Sequence, residues 1–277
     1  MKREAAARNN AEWCDAMCRA HGLPGGTFGD RAWTHPRRTP PYYPDAVTLA
    51  PGASDTEIRA MLDAVDRSTP GCSVKDSFAE LDLTPHGFEV LFEGQWIHRP
   101  AALAAPGPVT RAWEPVETVA ELAAWQTAWN GGDRMDLFRP ALLADPATTV
   151  LAGRAGDGRI VAGAVVSRTA ATATATADAT AATTGVVGVS NLFGPDAWPG
   201  CLAAIADRWP GMPVVGYEHG DDLAAALRHG FKATGPLRVW LSSSAVPGPV
   251  PVSDPCPGIS PELAHAADTS ERDAADT

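Results

Sequence analysis

The sequence has few cysteines, and none of them has the spacing of a disulfide framework or a metal site. Its five cysteines are spread over 277 residues without a CxxC pair. A disulfide scaffold or a structural zinc site needs paired spacing, so we expect neither. Cys14 and Cys18 lie one helical turn apart, but no further Cys or His completes a four-ligand set. We interpret them as small apolar residues of a helix and predict no metal.

Excess positive charge and long apolar runs are also missing. The 22 Lys and Arg residues against 33 acidic residues give a formal charge of -11. Such a chain repels phosphate backbones and anionic lipid, so we expect no nucleic-acid partner and no membrane partner. No run of roughly 20 apolar residues is present to span a bilayer, and the first residues lack the apolar core of a signal peptide. We therefore expect a cytoplasmic protein.

Several catalytic signatures are absent as well. The seven histidines show no HxH or HExxH spacing, and the sequence contains no GxSxG, no P-loop and no GxGxxG. Metal-dependent, serine-dependent and nucleotide-dependent hydrolysis are disfavoured, and so is Rossmann-type dinucleotide binding.

What is present indicates an α/β protein of two lobes. A chain of this length with 45% apolar residues can bury two ordinary cores. Ala, Pro and Gly dominate 101–108, which predicts a linker between lobes at 1–100 and 109–244. The proline-rich, acidic segment 245–277 predicts a disordered tail, and the Ala/Thr run 170–184 predicts an unpacked extension.

Apolar periodicity and turn residues predict an alternation of helices and strands. A proline- and glycine-rich loop is expected at 24–44. The predicted helices are 11–20, 54–65, 77–86, 118–130, 199–209 and 221–229. The predicted strands are 46–49, 72–74, a bent strand or hairpin over 88–98, a hairpin of 150–154 with 159–168, and 185–193, 213–217 and 237–241.

Each lobe closes on a similar segment. His86-Gly87-Phe88 is followed by Trp96, and His229-Gly230-Phe231 is followed by Trp240. Both lobes also open on a Trp-bearing helix. These shared features predict that the first lobe is a degenerate copy of the second.

The second lobe resembles the GNAT (Gcn5-related N-acetyltransferase) superfamily. Its element order is that of the family, and the segment VVGYE at 214–218 followed by 221–231 is similar to the fifth strand, fourth helix and "GF" corner of that fold. The resemblance implies tandem GNAT-like lobes, each with a mixed, mostly antiparallel sheet flanked by helices. It also implies acetyl-CoA or another acyl-CoA as a cofactor. The high Ala, Gly and Pro content is typical of actinobacterial proteins, which points to specialised metabolism such as antibiotic biosynthesis.

The pyrophosphate-binding pattern of that family, (Gln or Arg)-x-x-Gly-x-(Gly or Ala), is not present. The corresponding stretch, 193–200, reads FGPDAWPG. Its two prolines remove N–H donors, and Asp196 adds a repulsive charge. In the first lobe, 50–53 is equally unlike the motif.

The resemblance places the working cleft between two splayed middle strands. Glu218 would serve there as a general base and Tyr217 as a general acid, while Asn191 would orient a substrate carbonyl. For Glu218 and Asn191 the structural alternative is a solvated strand end.

At the matching strand end of the first lobe lie Lys75, Asp76 and Ser77. Lys75 could bind an acidic substrate with Ser77 beside it, and Asp76 could take a proton from an amine or hydroxyl. A surface ion pair or a helix cap at Asp76 would explain the same residues.

The loop 31–43 concentrates guanidinium and aromatic groups. Arg37, Arg38, Tyr42 and Tyr43 could form a lid that recognises a carboxylate or phosphate. Alternatively, Tyr42 and Tyr43 plug the lobe interface.

Three functions fit these residues. The first is acyl transfer to a small amine-bearing metabolite, and the second is a CoA-independent cyclisation or elimination assisted by Asp76 or Glu218. The third is a non-catalytic module that binds a ligand or protein partner. The sequence leaves open whether the lobes act within a monomer or across a homodimer.

Overall fold

The computed structural model describes residues 2–103, 111–169 and 185–242. Most of the predicted linker, the predicted extension at 170–184 and the predicted tail at 245–277 lie outside these residues. Within them the helices are α1 (Lys2–Ala20), α2 (Asp55–Asp63), α3 (Val119–Trp129), α4 (Ala197–Arg208) and α5 (Gly220–Arg228). None of these helices is long and apolar enough to cross a membrane.

The strands of the described residues form one mixed, mostly antiparallel sheet. They are β1 (Thr27–Phe28), β2 (Ala32–Thr34), β3 (Ala46–Thr48), β4 (Ser73–Asp76), β5 (Phe88–Arg99), β6 (Trp113–Pro115), β7 (Thr148–Arg154), β8 (Ile160–Thr169), β9 (Val186–Phe193), β10 (Val214–Glu218) and β11 (Lys232–Ser242). Their order in space is β1-β2-β3-β4-β11-β5-β10-β9-β8-β7-β6.

At the centre of the sheet the two halves of the chain exchange one strand each. The last strand of the second half, β11, lies between β4 and β5, and the last strand of the first half, β5, lies between β10 and β11. The two strands run antiparallel along their whole length, from Phe88 opposite Ser242 to His98 opposite Lys232. Neither half therefore completes its part of the sheet without a strand from the other.

The repeated His-Gly-Phe segment is the helix-ending turn that precedes each exchanged strand. Gly87 and Gly230 have φ of 81° and 86°, a left-handed conformation that glycine adopts without steric cost. The following Phe88 and Phe231 donate their backbone N–H groups to the carbonyls of Leu83 and Ala226, as in a Schellman motif. Both phenylalanine side chains are buried, so each turn anchors the start of its strand in the core.

Capping residues close in sequence determine where α2 and α3 begin. Ser54 and Thr118 form capping boxes with Glu57 and Glu121, each pair exchanging side-chain and backbone hydrogen bonds. The predicted helices at 54–65 and 118–130 are confirmed. So are the hairpin of β7 and β8 and the remaining predicted strands, within a few residues of their ends.

Three sequence predictions need correction. The predicted helix at 77–86 is wrong, because the Asp76 carboxylate accepts the backbone N–H groups of Phe78 and Leu81 and holds a turn that ends in a short 3₁₀ helix at Thr84–His86. The loop 24–44 contains β1, at the edge of the sheet, and β2 beside it. The first helix begins at Lys2 rather than near residue 11, and β6 was not predicted.

The helices cover the two faces of the sheet. Helix α1 packs on one face against Trp96, Val215 and Val239, and α4 and α5 pack on the other against Ile97 and Val214. Because side chains alternate along a strand, Tyr217 points to the α1 face and Glu218 to the α4/α5 face.

Candidate functional site

The main cleft opens where β9 and β10 separate. These parallel strands pair only through Val214 with Val187 and Val215 with Gly188, and they diverge beyond those residues. The resulting cleft has a volume of about 620 Å³. It is lined from the α1 face by Asn10, Trp13 and Lys75 and from the α4/α5 face by Trp198, Glu218 and Asp222. The cleft therefore connects the two faces through the gap in the sheet, and both halves of the chain contribute to it.

Backbone strain is found at two residues of this cleft. Asn191 has φ 53° on β9, where one extra residue forms a bulge opposite β8. Tyr42 has φ 71° in the loop above the cleft, and a bulky residue rarely adopts this region. Such strain is commonly retained where it positions functional groups, which supports this cleft as the working site.

Glu218 lies at the end of β10, on the rim of the gap. Burial and, to a smaller extent, the nearby Asp222 raise the pKa of its carboxyl group to about 8. No described residue donates a hydrogen bond to this carboxyl group or forms an ion pair with it. A carboxyl group with a pKa close to neutral can both accept and release a proton, so Glu218 is the strongest acid–base candidate of the cleft.

Lys75 provides the positive charge on the α1 face. The residue is only 4% exposed, its Nζ donates a hydrogen bond of 3.0 Å to Oδ1 of Asn10, and the Nζ lies 3.9 Å from the ring centroid of Tyr217. The Tyr217 ring packs edge-on against Trp96, at 5.7 Å between centroids. Lys75 from the first half and Tyr217 from the second thus meet at one point of the cleft.

The loop above the cleft is organised by a buried carboxylate. Asp45 is fully buried and binds Arg38, the backbone N–H of Thr39 and the backbone N–H of Ser73. Arg38 also donates to the carbonyl of Gly71. Arg38 lines the cleft, but its guanidinium already has a carboxylate partner, so its role is to hold the loop.

Both tyrosines of this loop also line the cleft. Tyr43 is buried and packs edge-on against Trp13 at 5.8 Å between ring centroids, whereas Tyr42 is 46% exposed. Of the two, Tyr43 is therefore part of the packed core and Tyr42 is the more exposed side chain of the loop.

Three predicted site residues do not line the cleft. Asp76 is buried in the turn after β4, where burial raises its pKa and backbone N–H groups occupy its oxygens. Ser77 is buried, with its backbone bound to Thr48 and Trp96. Arg37 is exposed on the loop. The cleft does bring together Arg38, Tyr42, Tyr43, Lys75, Asn191, Tyr217 and Glu218.

Sequence reasoning missed the contributions of α1 and α5. Asn10, Trp13 and Cys14 come from α1, and His219 and Asp222 come from the start of α5. Extending the helical pattern of α1 back through Asn10 would have placed this amide one turn before Cys14 on the buried face. Burial raises the pKa of the Cys14 thiol to about 11, so it is protonated at neutral pH and is no nucleophile.

In a fold of this kind the diphosphate of an acyl-CoA would bind at the N-terminus of α4. Its cap residue Asp196 has φ 51° and makes no side-chain capping bond, and Pro199 has no N–H to offer. A Cβ on Gly200 would lie 2.0 Å from Nε1 of Trp113, so an indole occupies the space beside this turn. Trp198 is itself buried against Phe231. These residues do not form a diphosphate cradle.

The gap between β9 and β10 is a better fit for the acyl-bearing arm of such a donor. Beyond Val215 and Gly188 the two strands have no ladder partner across the gap. Backbone groups left unpaired there can bind an extended chain that carries amides. Among the described residues, no group of three or more His, Cys, Asp or Glu side chains could hold a metal ion.

Solved structures share this architecture. A GCN5-related N-acetyltransferase from Kribbella flavida matches with a TM-score of 0.54 and 17% identity, over 87% of this chain and 96% of its own. A protein described as a GNAT-family acetyltransferase from Novosphingobium aromaticivorans matches with a TM-score of 0.50 and 13% identity, over 85% of this chain and 97% of its own. No protein-family model and no curated protein matches the sequence. At these identities the likeness shows the GNAT fold, which confirms the predicted fold class.

Proposed function

We propose that this protein transfers an acyl group from a thioester donor to a small amine, with the reaction taking place in the cleft between β9 and β10. The observation that carries the proposal is the position of Glu218 on the rim of the gap that joins the two faces of the sheet. A donor entering from the α4/α5 face and an amine entering from the α1 face would meet at this gap.

Glu218 has the properties that the amine requires. A primary amine is protonated at neutral pH and must lose protons to become acylated. With a pKa of about 8, the carboxylate form of Glu218 is a base of suitable strength for that transfer. Tyr217 precedes it on β10 and points to the α1 face, so its phenol would return a proton to the leaving group across the gap between β9 and β10, in the role predicted from the sequence.

The cleft fits one part of an acyl-CoA donor better than another. The gap supports binding of an extended arm that carries amides, whereas the start of α4 does not support binding of a diphosphate. The nucleotide part of CoA therefore has no catalytic role in this proposal. We expect that acetyl-pantetheine, which lacks the nucleotide, binds within about tenfold of acetyl-CoA, since tenfold corresponds to about 1.4 kcal/mol, roughly the net contribution of one hydrogen bond.

Isothermal titration of the full chain with acetyl-CoA, longer acyl-CoAs and acetyl-pantetheine tests this proposal. Binding of at least one thioester is required, and failure of all of them to bind would refute acyl transfer. Mass spectrometry of an amine panel with the binding thioester then measures acylation. Glu218→Gln should abolish most turnover while thioester binding persists, and Asp222→Asn provides a matched control at a neighbouring carboxylate.

The absent diphosphate cradle also favours a second candidate function. A CoA-independent enzyme could use the same cleft, with Glu218 removing a proton during cyclisation or elimination of a biosynthetic intermediate. Asp76 is a weaker candidate for this role, because its oxygens accept backbone N–H groups away from the cleft. Absence of thioester binding, together with binding of small amines that Glu218→Gln weakens, would favour this reaction over acyl transfer.

The non-catalytic alternative has less support. It requires closed clefts, whereas this cleft has a volume of about 620 Å³ and is lined by Lys75, Tyr42 and Glu218.

A further inference from the structure

Lys75 is a buried cation without a carboxylate partner. The residue is 4% exposed and lies on β4, which is flanked by β3 and β11. Within residues 2–103, 111–169 and 185–242, no carboxylate forms an ion pair with it. An ammonium group taken out of water in this way is costly unless an anion compensates it.

The two contacts of Lys75 stabilise the cation without neutralising it. Since an ammonium group only donates hydrogen bonds, Asn10 must present its carbonyl oxygen to Lys75, and the Nζ–Oδ1 distance is 3.0 Å. The Tyr217 ring supplies a cation–π contact at 3.9 Å. The amide nitrogen of Asn10 donates no hydrogen bond to any described residue. Lys75 and Asn10 thus offer neighbouring donors at the cleft wall.

The other charged groups of the cleft neither neutralise Lys75 nor offer a second site for an anion. Arg38 is bound to Asp45 and to the carbonyl of Gly71, so it cannot also serve an incoming anion without breaking the loop. The carboxyl groups of Glu218 and Asp222 lie on the opposite face of the sheet. The cleft therefore has a cationic wall towards α1 and an acidic wall towards α5.

Apolar side chains line much of the rest of the cleft. They are Trp13, Tyr43, Leu91, Phe92 and Val239, while Ser190 and Asn191 of β9 are polar. A ligand that matches the cleft carries an anion at one end, an amine at the other and an apolar body between them.

We infer that the acyl acceptor is an amino carboxylic acid whose carboxylate binds Lys75 and the amide nitrogen of Asn10 while its amine lies towards Glu218. This inference rests on the proposed function for the identity of the amine as the acceptor. A carboxylate matches one ammonium and one amide donor better than a phosphate, whose second charge would have no partner in a cleft that also holds Glu218 and Asp222. Because the Tyr217 ring lies between Lys75 and the gap, the amine and carboxylate should be separated by several bonds.

The test is a comparison of matched acids and amines by isothermal titration of the full chain. The probes are 6-aminohexanoate with hexylamine, and 4-(aminomethyl)phenylacetate with 4-methylbenzylamine, which differ within each pair in the carboxylate. We expect each acid to bind at least about tenfold more tightly than its amine, as removal of a buried charge partner typically costs that much. Equal binding within both pairs, or no binding by either acid, would overturn the inference.

Two variants and one control variant test whether Lys75 and Asn10 cause the preference for the acids. Lys75→Met should remove it by weakening the acids only, whereas Lys232→Met, which removes the same charge from an exposed site on β11, should preserve it. Asn10→Asp keeps the lysine and supplies an internal carboxylate, so it should also erase the preference while leaving the protein folded. Retention of the acid preference in a folded Lys75→Met or Asn10→Asp protein would contradict the assignment.

Failure of this inference can be separated from failure of the proposed function. Binding of the acids does not depend on turnover, so an acid preference without any acylation would support the Lys75 subsite and refute acyl transfer. Acylation of amines and acids with equal efficiency would support acyl transfer and refute the subsite.

Discussion

The carboxyl group of Glu218 makes the stability of the folded protein depend on pH. Its pKa rises from the ordinary 4.5 to about 8, first through burial and second through repulsion from Asp222. Between these two values the folded state holds a proton that the unfolded state has released, so stability falls as the pH rises through this window. At roughly 1.4 kcal/mol per pKa unit, the full difference would be about 5 kcal/mol. Glu218 remains partly exposed at the cleft, and solvent screening reduces our expectation to about 2 kcal/mol.

Glu218→Gln tests this value, because the amide has the shape of the protonated acid and cannot ionise. Urea unfolding of both proteins at pH 5 and pH 9 measures the effect. We expect similar free energies of unfolding at pH 5 and a variant more stable by about 2 kcal/mol at pH 9. Asp222→Asn should give a smaller gain at pH 9, since it removes only the repulsive contribution. An identical pH dependence of wild type and Glu218→Gln would refute the reasoning, because Glu218 would then ionise normally in the folded state.

Three further predictions concern the scaffold. Asp45→Asn should destabilise the protein by about 3–5 kcal/mol, because it leaves a guanidinium without its buried partner, whereas the exposed Asp63→Asn should have little effect in the same urea titration. Gly200→Ala should cost about 1–3 kcal/mol through collision with Trp113, while Gly156→Ala meets nothing within 4 Å; a thermal melt of both compares them, and equal melting temperatures would contradict the packing. The two halves of the chain, expressed separately, should not fold alone but should assemble when mixed, since β5 and β11 are exchanged; circular dichroism and size-exclusion chromatography check this, and cooperative melting of either isolated half would disprove it.

The parts of the fold that the sequence predicted correctly depend on neighbours within a few residues. The capping box of Ser54 and Glu57, the turn between β7 and β8, and the glycines of the two His-Gly-Phe segments each act within one turn of chain. The helix predicted at 77–86 failed because the Asp76 carboxylate competes with the helix for backbone N–H groups, an outcome that apolar spacing does not reveal.

The candidate site was predictable only in part, for a related reason. Glu218, Tyr217 and Asn191 followed from a resemblance that located strand ends, and Lys75 followed from its position at a matching strand end. Asn10 was not found, because its role depends on a contact with Lys75 across 65 positions of sequence.

The sequence by itself determined that the chain alternates helices and strands and that two similar turns each lead into a Trp-bearing strand. Only the tertiary structure decided that these two strands change places. That exchange brings Lys75 of one half beside Tyr217 of the other and sets the α1 wall of the cleft opposite Glu218. The physical reason is that hydrogen bonds between strands join any two extended segments of suitable register, so the partner of a strand is chosen by packing of the whole sheet and not by its local sequence.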